Sequence, residues 1–81
     1  MLKIGQRCKV VELEPLDEDD LIIGIGEDCE VKKILRVEAN DQDNLYAVNF
    51  FRQARREPLQ GMPDGYEDWY PLFEDQLEPI V

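Results

Sequence analysis

The sequence predicts an all-β fold: a small five-stranded barrel with one helical turn before its last strand. Three observations carry that prediction. Apolar and polar residues alternate over short stretches near positions 6–13, 29–37 and 45–51, which is the period of a half-buried strand. No stretch repeats apolar residues at helical spacing over several turns. Clusters of Gly, Pro, Asn and Asp separate the apolar stretches, as tight turns require.

The elements follow in order. Gly5 is a natural turn point, and residues 6–13 form the first strand, with Cys8 and Val10 on one face and a phase shift at Val11 and Leu13. Residues 14–20, with Pro15 and four acids after it, read as an exposed acidic loop. The run 21–26, apolar but broken by Gly24 and Gly26, reads as an irregular segment packed under that loop. Its two glycines fall far short of a dinucleotide-binding fingerprint, which needs a third glycine and a following helix.

Residues 29–37 form the second strand, with Cys29, Val31, Leu35 and Val37 sharing one parity and Lys33 as the exception. Residues 38–44 are a hairpin turn in which Asn and Asp supply left-handed conformations. Residues 45–51 form the third strand and place Tyr46, Val48 and Phe50 on one face. From 52 to 67 the pattern dissolves into a long irregular loop, punctuated by Pro58, Gly61, Pro63 and Gly65. Residues 69–73 are the fourth strand, 73–76 the helical turn and 77–80 the closing strand. Trp69, Phe73, Leu77 and Ile80 are expected to seal one end of the barrel.

At 81 residues the chain has room for a single domain, 1–81, with one small core. No apolar run approaches the length of a membrane helix, and the first residues lack the apolar stretch of a secretory signal, so no membrane is expected and the location read from the sequence is cytoplasmic. Cys8 and Cys29, the two cysteines, fit free thiols buried as small hydrophobes in a reducing compartment. Two cysteines without histidine make no zinc site and leave no base to activate a nucleophilic thiol.

Nineteen acidic residues against nine basic ones give a formal charge of −10. Such a field repels phosphates and argues against direct nucleic-acid binding. The acids at 12–20 lack the alternating order and distal glutamate of an EF-hand loop, so they read as a solvated face, with no metal and no cofactor expected. Nothing in the acid spacing selects a catalytic pair, and no enzyme is expected.

The order Gly5-Gln6-Arg7-Cys8-Lys9-Val10, Ile23-Gly24-Ile25-Gly26, Glu30-Val31-Lys32-Lys33-Ile34, Asn44-Leu45-Tyr46-Ala47-Val48-Asn49-Phe50, Trp69-Tyr70 and Gln76-Leu77-Glu78-Pro79-Ile80 resembles the layout of the SH3-like barrels. The resemblance implies the barrel fold and, for function, a non-enzymatic protein-interaction module acting as adaptor or regulator. It does not extend to proline-rich peptide binding, because the first loop is acidic and holds no aromatic residue. The loop at 52–67 exceeds the family's usual connection.

Within that loop Arg52, Arg55 and Arg56 form the only basic cluster, and Met62 and Tyr66 add adaptable apolar anchors, with Tyr70 just beyond. These six residues are the expected partner-binding set, for a protein partner or for the acidic loop of a second copy in a homo-oligomer. Two other readings compete. One is an acidic nucleic-acid mimic that blocks a DNA-binding protein, in the manner of small phage-encoded inhibitors, an origin in a phage or mobile element fitting either reading. The other is a reader of a cationic ligand like the Tudor-type barrels, with Trp69, Tyr70 and Tyr66 as an aromatic cage beside Asp64, Glu67 and Asp68.

Overall fold

Backbone pairing in the computed structural model, which describes residues 1–52, 54 and 69–80, organises the chain into one antiparallel sheet. Its elements are β1 (Arg7–Val10), a short helix α1 (Pro15–Asp20), β2 (Asp28–Arg36), a 3-10 turn at Asp41–Asp43, β3 (Leu45–Phe50), β4 (Trp69–Phe73), a 3-10 turn at Glu74–Gln76 and β5 (Leu77–Pro79). The strand order is β4-β3-β2-β1-β5. Among the described residues, β4 and β5 are the two edges and share no ladder, so the sheet is five-stranded and open in its pairing.

Alternation decides which side chains enter the core. Cys8 and Val10 of β1, Cys29 and Val31 of β2, Tyr46, Val48 and Phe50 of β3, and Tyr70 and Leu72 of β4 are all buried and pack in one cluster with Leu2, Leu21 and Leu77. The parity of β4 corrects one expectation. With Tyr70 and Leu72 facing inward, Trp69 and Phe73 fall on the opposite face: Trp69 is half-buried and Phe73 is exposed. Ile80 is exposed as well, so of the four residues expected to seal the barrel end only Leu77 is buried.

β2 departs from simple alternation through two bulges. Val31 faces Val48 and Lys33 faces Ala47, so Lys32 and Lys33 together oppose one residue of β3, and a second shift follows between Ile34 and Arg36. The first extra residue turns the side chains over as far as the second bulge, and β2 ends just beyond that, at Arg36. Ile34, opposite Tyr46, packs against the core, whereas Leu35 and Val37, expected inside, are exposed. The expected left-handed Asn and Asp residues in the 38–44 turn are also absent. The chain reverses through the 3-10 turn, and among the described residues positive φ belongs to Gly5 and Gly26 alone.

The acidic segment is a helix rather than a loop. Pro15 stands at the first helical position, where its missing N–H costs nothing, and the backbone N–H of Glu14 donates to Asp17 Oδ2 at 3.0 Å. None of the residues of α1 is buried, so tertiary tethers hold it in place.

Candidate functional site

Those tethers converge on Asp17. Its Oδ1 accepts from the buried Tyr70 hydroxyl at 2.8 Å, and its Oδ2 accepts from Gln76 Nε2 at 2.9 Å. The Tyr70 hydroxyl also reaches Asp20 Oδ2 at 3.4 Å. Gln76 is itself buried; its Oε1 accepts from the Phe73 N–H at 2.9 Å, and its amide reaches the Glu12 carbonyl at 3.4 Å. One carboxylate therefore fastens α1 to β4 and to the turn before β5. Glu18 and Asp19 of the same helix are exposed.

Beyond α1 the chain doubles back over the sheet. The Leu21 N–H donates to the Asp17 carbonyl at 2.9 Å, the Ile22 N–H to the carbonyl of buried Ala54 at 2.7 Å, and the Gly26 N–H to the Val10 carbonyl at 2.8 Å. Gly26, at φ 98°, makes the left-handed reversal into β2 that a side-chain-bearing residue adopts only under strain. These three anchors leave the aliphatic side chains between them divided: Leu21 is buried, Ile23 is half-buried against the core, and Ile22 and Ile25 are 52% and 64% exposed. Between them lies a groove of about 360 Å³ lined by Leu13, Leu21, Ile22, Ile23 and Ile25, with the Glu18 side chain at its rim.

A second depression of about 370 Å³ is bounded by Leu2, Glu74, Asp75 and Leu77 among others. One of its carboxylates is already engaged: Glu74 Oε1 accepts from the Tyr46 hydroxyl and from Asn44 Nδ2 at 3.4 Å. Burial, reinforced by that bond to Glu74, holds the Tyr46 phenol above its ordinary pKa. Asn44 in turn accepts from the Glu38 N–H at 2.7 Å, and the Leu2 N–H donates to the Tyr46 oxygen at 3.0 Å. This network is a closed structural clasp.

Of the expected partner-binding residues, Arg52 lies just past β3, exposed, with its guanidinium held in two contacts by the Glu27 carboxylate. Tyr70 is 4% exposed with its hydroxyl bound to Asp17, so it belongs to the core and not to a contact surface. Arg55, Arg56, Met62 and Tyr66 lie outside the described residues, as do Asp64, Glu67 and Asp68 of the proposed cage.

Cys8 and Cys29 are free, buried and directly opposite each other across β1 and β2. Burial raises both thiols, Cys29 to about 12, with Cys8 and Asp28 adding to the effect. A thiol held protonated to that degree is a poor nucleophile at neutral pH. Among the described residues no group of His, Cys, Asp and Glu is arranged to hold a metal ion, and no helix is long and apolar enough to cross a membrane. Comparison with protein-family models, with curated proteins and with solved structures finds no match to this chain.

The groove residues carry a signal in the sequence, the run Leu21-Ile22-Ile23-Gly24-Ile25-Gly26 beside an acidic segment. Read by composition, that run looks like buried packing. Only the backbone anchors at Ile22 and Gly26 reveal that half of it is held outward.

Proposed function

We propose that the chain is a small non-enzymatic protein-interaction module built on an SH3-like barrel, and that it receives an apolar segment of a partner protein in the groove between α1 and residues 21–25. The observation that carries this reading is the pair of exposed isoleucines, Ile22 and Ile25, fixed beside a groove of about 360 Å³ by backbone bonds at both ends. Apolar surface held open by the fold marks an interaction site more often than chance exposure does. The barrel reading draws support from the strand order and from the 3-10 turn that leads the chain from one sheet edge, β4, directly into the other, β5. Two free buried thiols are in keeping with a reducing compartment, the cytoplasm.

A nucleic-acid mimic is the second reading, favoured by the outward acids of α1. The aliphatic groove beside them ranks it lower, since a phosphate mimic has no use for exposed isoleucines. Photo-crosslinking in the native host separates the two. A benzophenone residue at Ile25 is expected to capture a defined polypeptide that the same residue at Lys9, on the other face of the sheet, does not. Capture of a DNA-binding protein equally from both positions, or no capture from Ile25, overturns the proposal.

A further inference from the structure

The groove has a charge to match as well as a shape. Residues 12–20 hold six carboxylates, and no described cation forms a salt bridge with any of them. Arg7 pairs with Asp28, Lys32 with Glu30, Arg36 with Glu38 and Arg52 with Glu27, so these four cations are engaged with other acids. The helix adds to the imbalance. Its last turn contains no basic residue and ends in Asp19 and Asp20, at the end where aligned peptide dipoles favour positive charge. An apolar groove beside acids that no described cation pairs with is complementary to a ligand that is aliphatic in the middle and cationic at its margins.

Building on the reading of the groove as a docking site, we infer that its occupant is a cationic amphipathic segment of a partner protein. Aliphatic side chains of that segment insert against Leu13, Leu21 and Ile23, and its Lys or Arg residues meet Glu18, the acid that lines the groove, and the exposed acids of the helix that carries it. Asp17 is excluded from the rim because Tyr70 and Gln76 already occupy its oxygens. A nucleic acid or an anionic lipid surface is repelled by the same rim. A second copy of the chain brings a like negative lobe and a net charge of −10 of its own.

The test uses the full ¹⁵N-labelled chain and three synthetic peptides of roughly four helical turns. The first carries leucines along one face and lysines elsewhere; the second scrambles that sequence; the third replaces each lysine with glutamate. The patterned lysine peptide is expected to shift amide signals confined to residues 11–25 and to bind at least about tenfold more tightly than either control. Its affinity should fall between roughly 50 and 500 mM NaCl, and the substitution pair Glu18→Lys and Asp19→Lys, at exposed positions, should weaken binding and flatten that salt dependence. Equal binding of the glutamate peptide overturns the cationic preference and leaves the groove reading standing. Equal binding of the scrambled peptide shows bare charge attraction and removes both. Binding elsewhere, or none, removes both too, and groove signals that shift with protein concentration alone assign the groove to a second copy.

Discussion

Replacing Asp17 with alanine removes one carboxylate and strands two buried donors, the Tyr70 hydroxyl and the Gln76 amide, together with the exposed Glu14 N–H. A hydrogen bond to a charged acceptor contributes about 1.5–3 kcal/mol, and leaving a buried donor unmet costs a similar amount. Two neighbours recover part of the loss, since Tyr70 already reaches Asp20 and Gln76 already reaches the Glu12 carbonyl, each at 3.4 Å. The net destabilisation is therefore about 2–4 kcal/mol. For a domain of this size, whose total stability is roughly 4–12 kcal/mol, that is a large share. It corresponds to a melting temperature lower by roughly 10–25 °C. The internal controls sit on the same helix: Glu18→Ala and Asp19→Ala remove exposed carboxylates and should stay within about 0.5 kcal/mol of the parent. Urea unfolding followed by tryptophan fluorescence, with calorimetry for the melting temperature, measures all three. An Asp17→Ala variant that unfolds with the two controls would refute the argument that one carboxylate fastens α1 to the sheet.

The inward parity of β4 predicts that Leu72→Ala costs about 3–4 kcal/mol whereas Trp69→Ala costs about half that, an inversion of what side-chain size alone suggests, and chemical denaturation of the two variants ranks them. The thiols predict a pH dependence. Cys29 is raised from 9.0 to about 12 in the folded chain, so the unfolded state loses its proton first. Its contribution is full below pH 9 and declines as pH rises toward 12, by up to about 1.4 kcal/mol per pH unit. The stability advantage of the parent over a Cys8→Ala/Cys29→Ala variant should shrink across that window and stay flat below it. At neutral pH both thiols should resist an aromatic disulfide reagent until urea unfolds the chain.

The sequence made the strands legible because period-two patterning is a local signal. The third and fourth strands, the turn at Glu74–Gln76 and the closing strand fall where alternation and turn chemistry put them. It failed where a structural choice overrides local pattern. The first bulge of β2 reverses its parity midway, so Leu35 looks like core and is not, and Val37, past the end of the strand, is exposed as well. The helix at Pro15–Asp20 was hidden by its own composition: a proline and a run of acids suggest a loop, yet proline at the first helical position with an acid two residues on is also a helix start. Trp69 drew attention by size, although Tyr70 and Leu72 hold the inward positions. The groove was the least legible feature, because the sequence shows that the run at 21–25 is apolar without showing which of its side chains the backbone turns outward.

The claim that Ile22 and Ile25 are presented for a partner rather than used for folding is tested most directly by changing both to aspartate and measuring two quantities on one sample. Calorimetry of the Ile22→Asp/Ile25→Asp variant should give a melting temperature within about 5 °C of the parent, since both side chains are already largely exposed. Titration with the patterned lysine peptide should show affinity lowered at least about tenfold, because the carboxylates replace the apolar walls that the leucines would fill. A variant that melts far below the parent would show the isoleucines to be part of the core. A stable variant that binds the peptide as well as the parent would show that the groove is not the docking site.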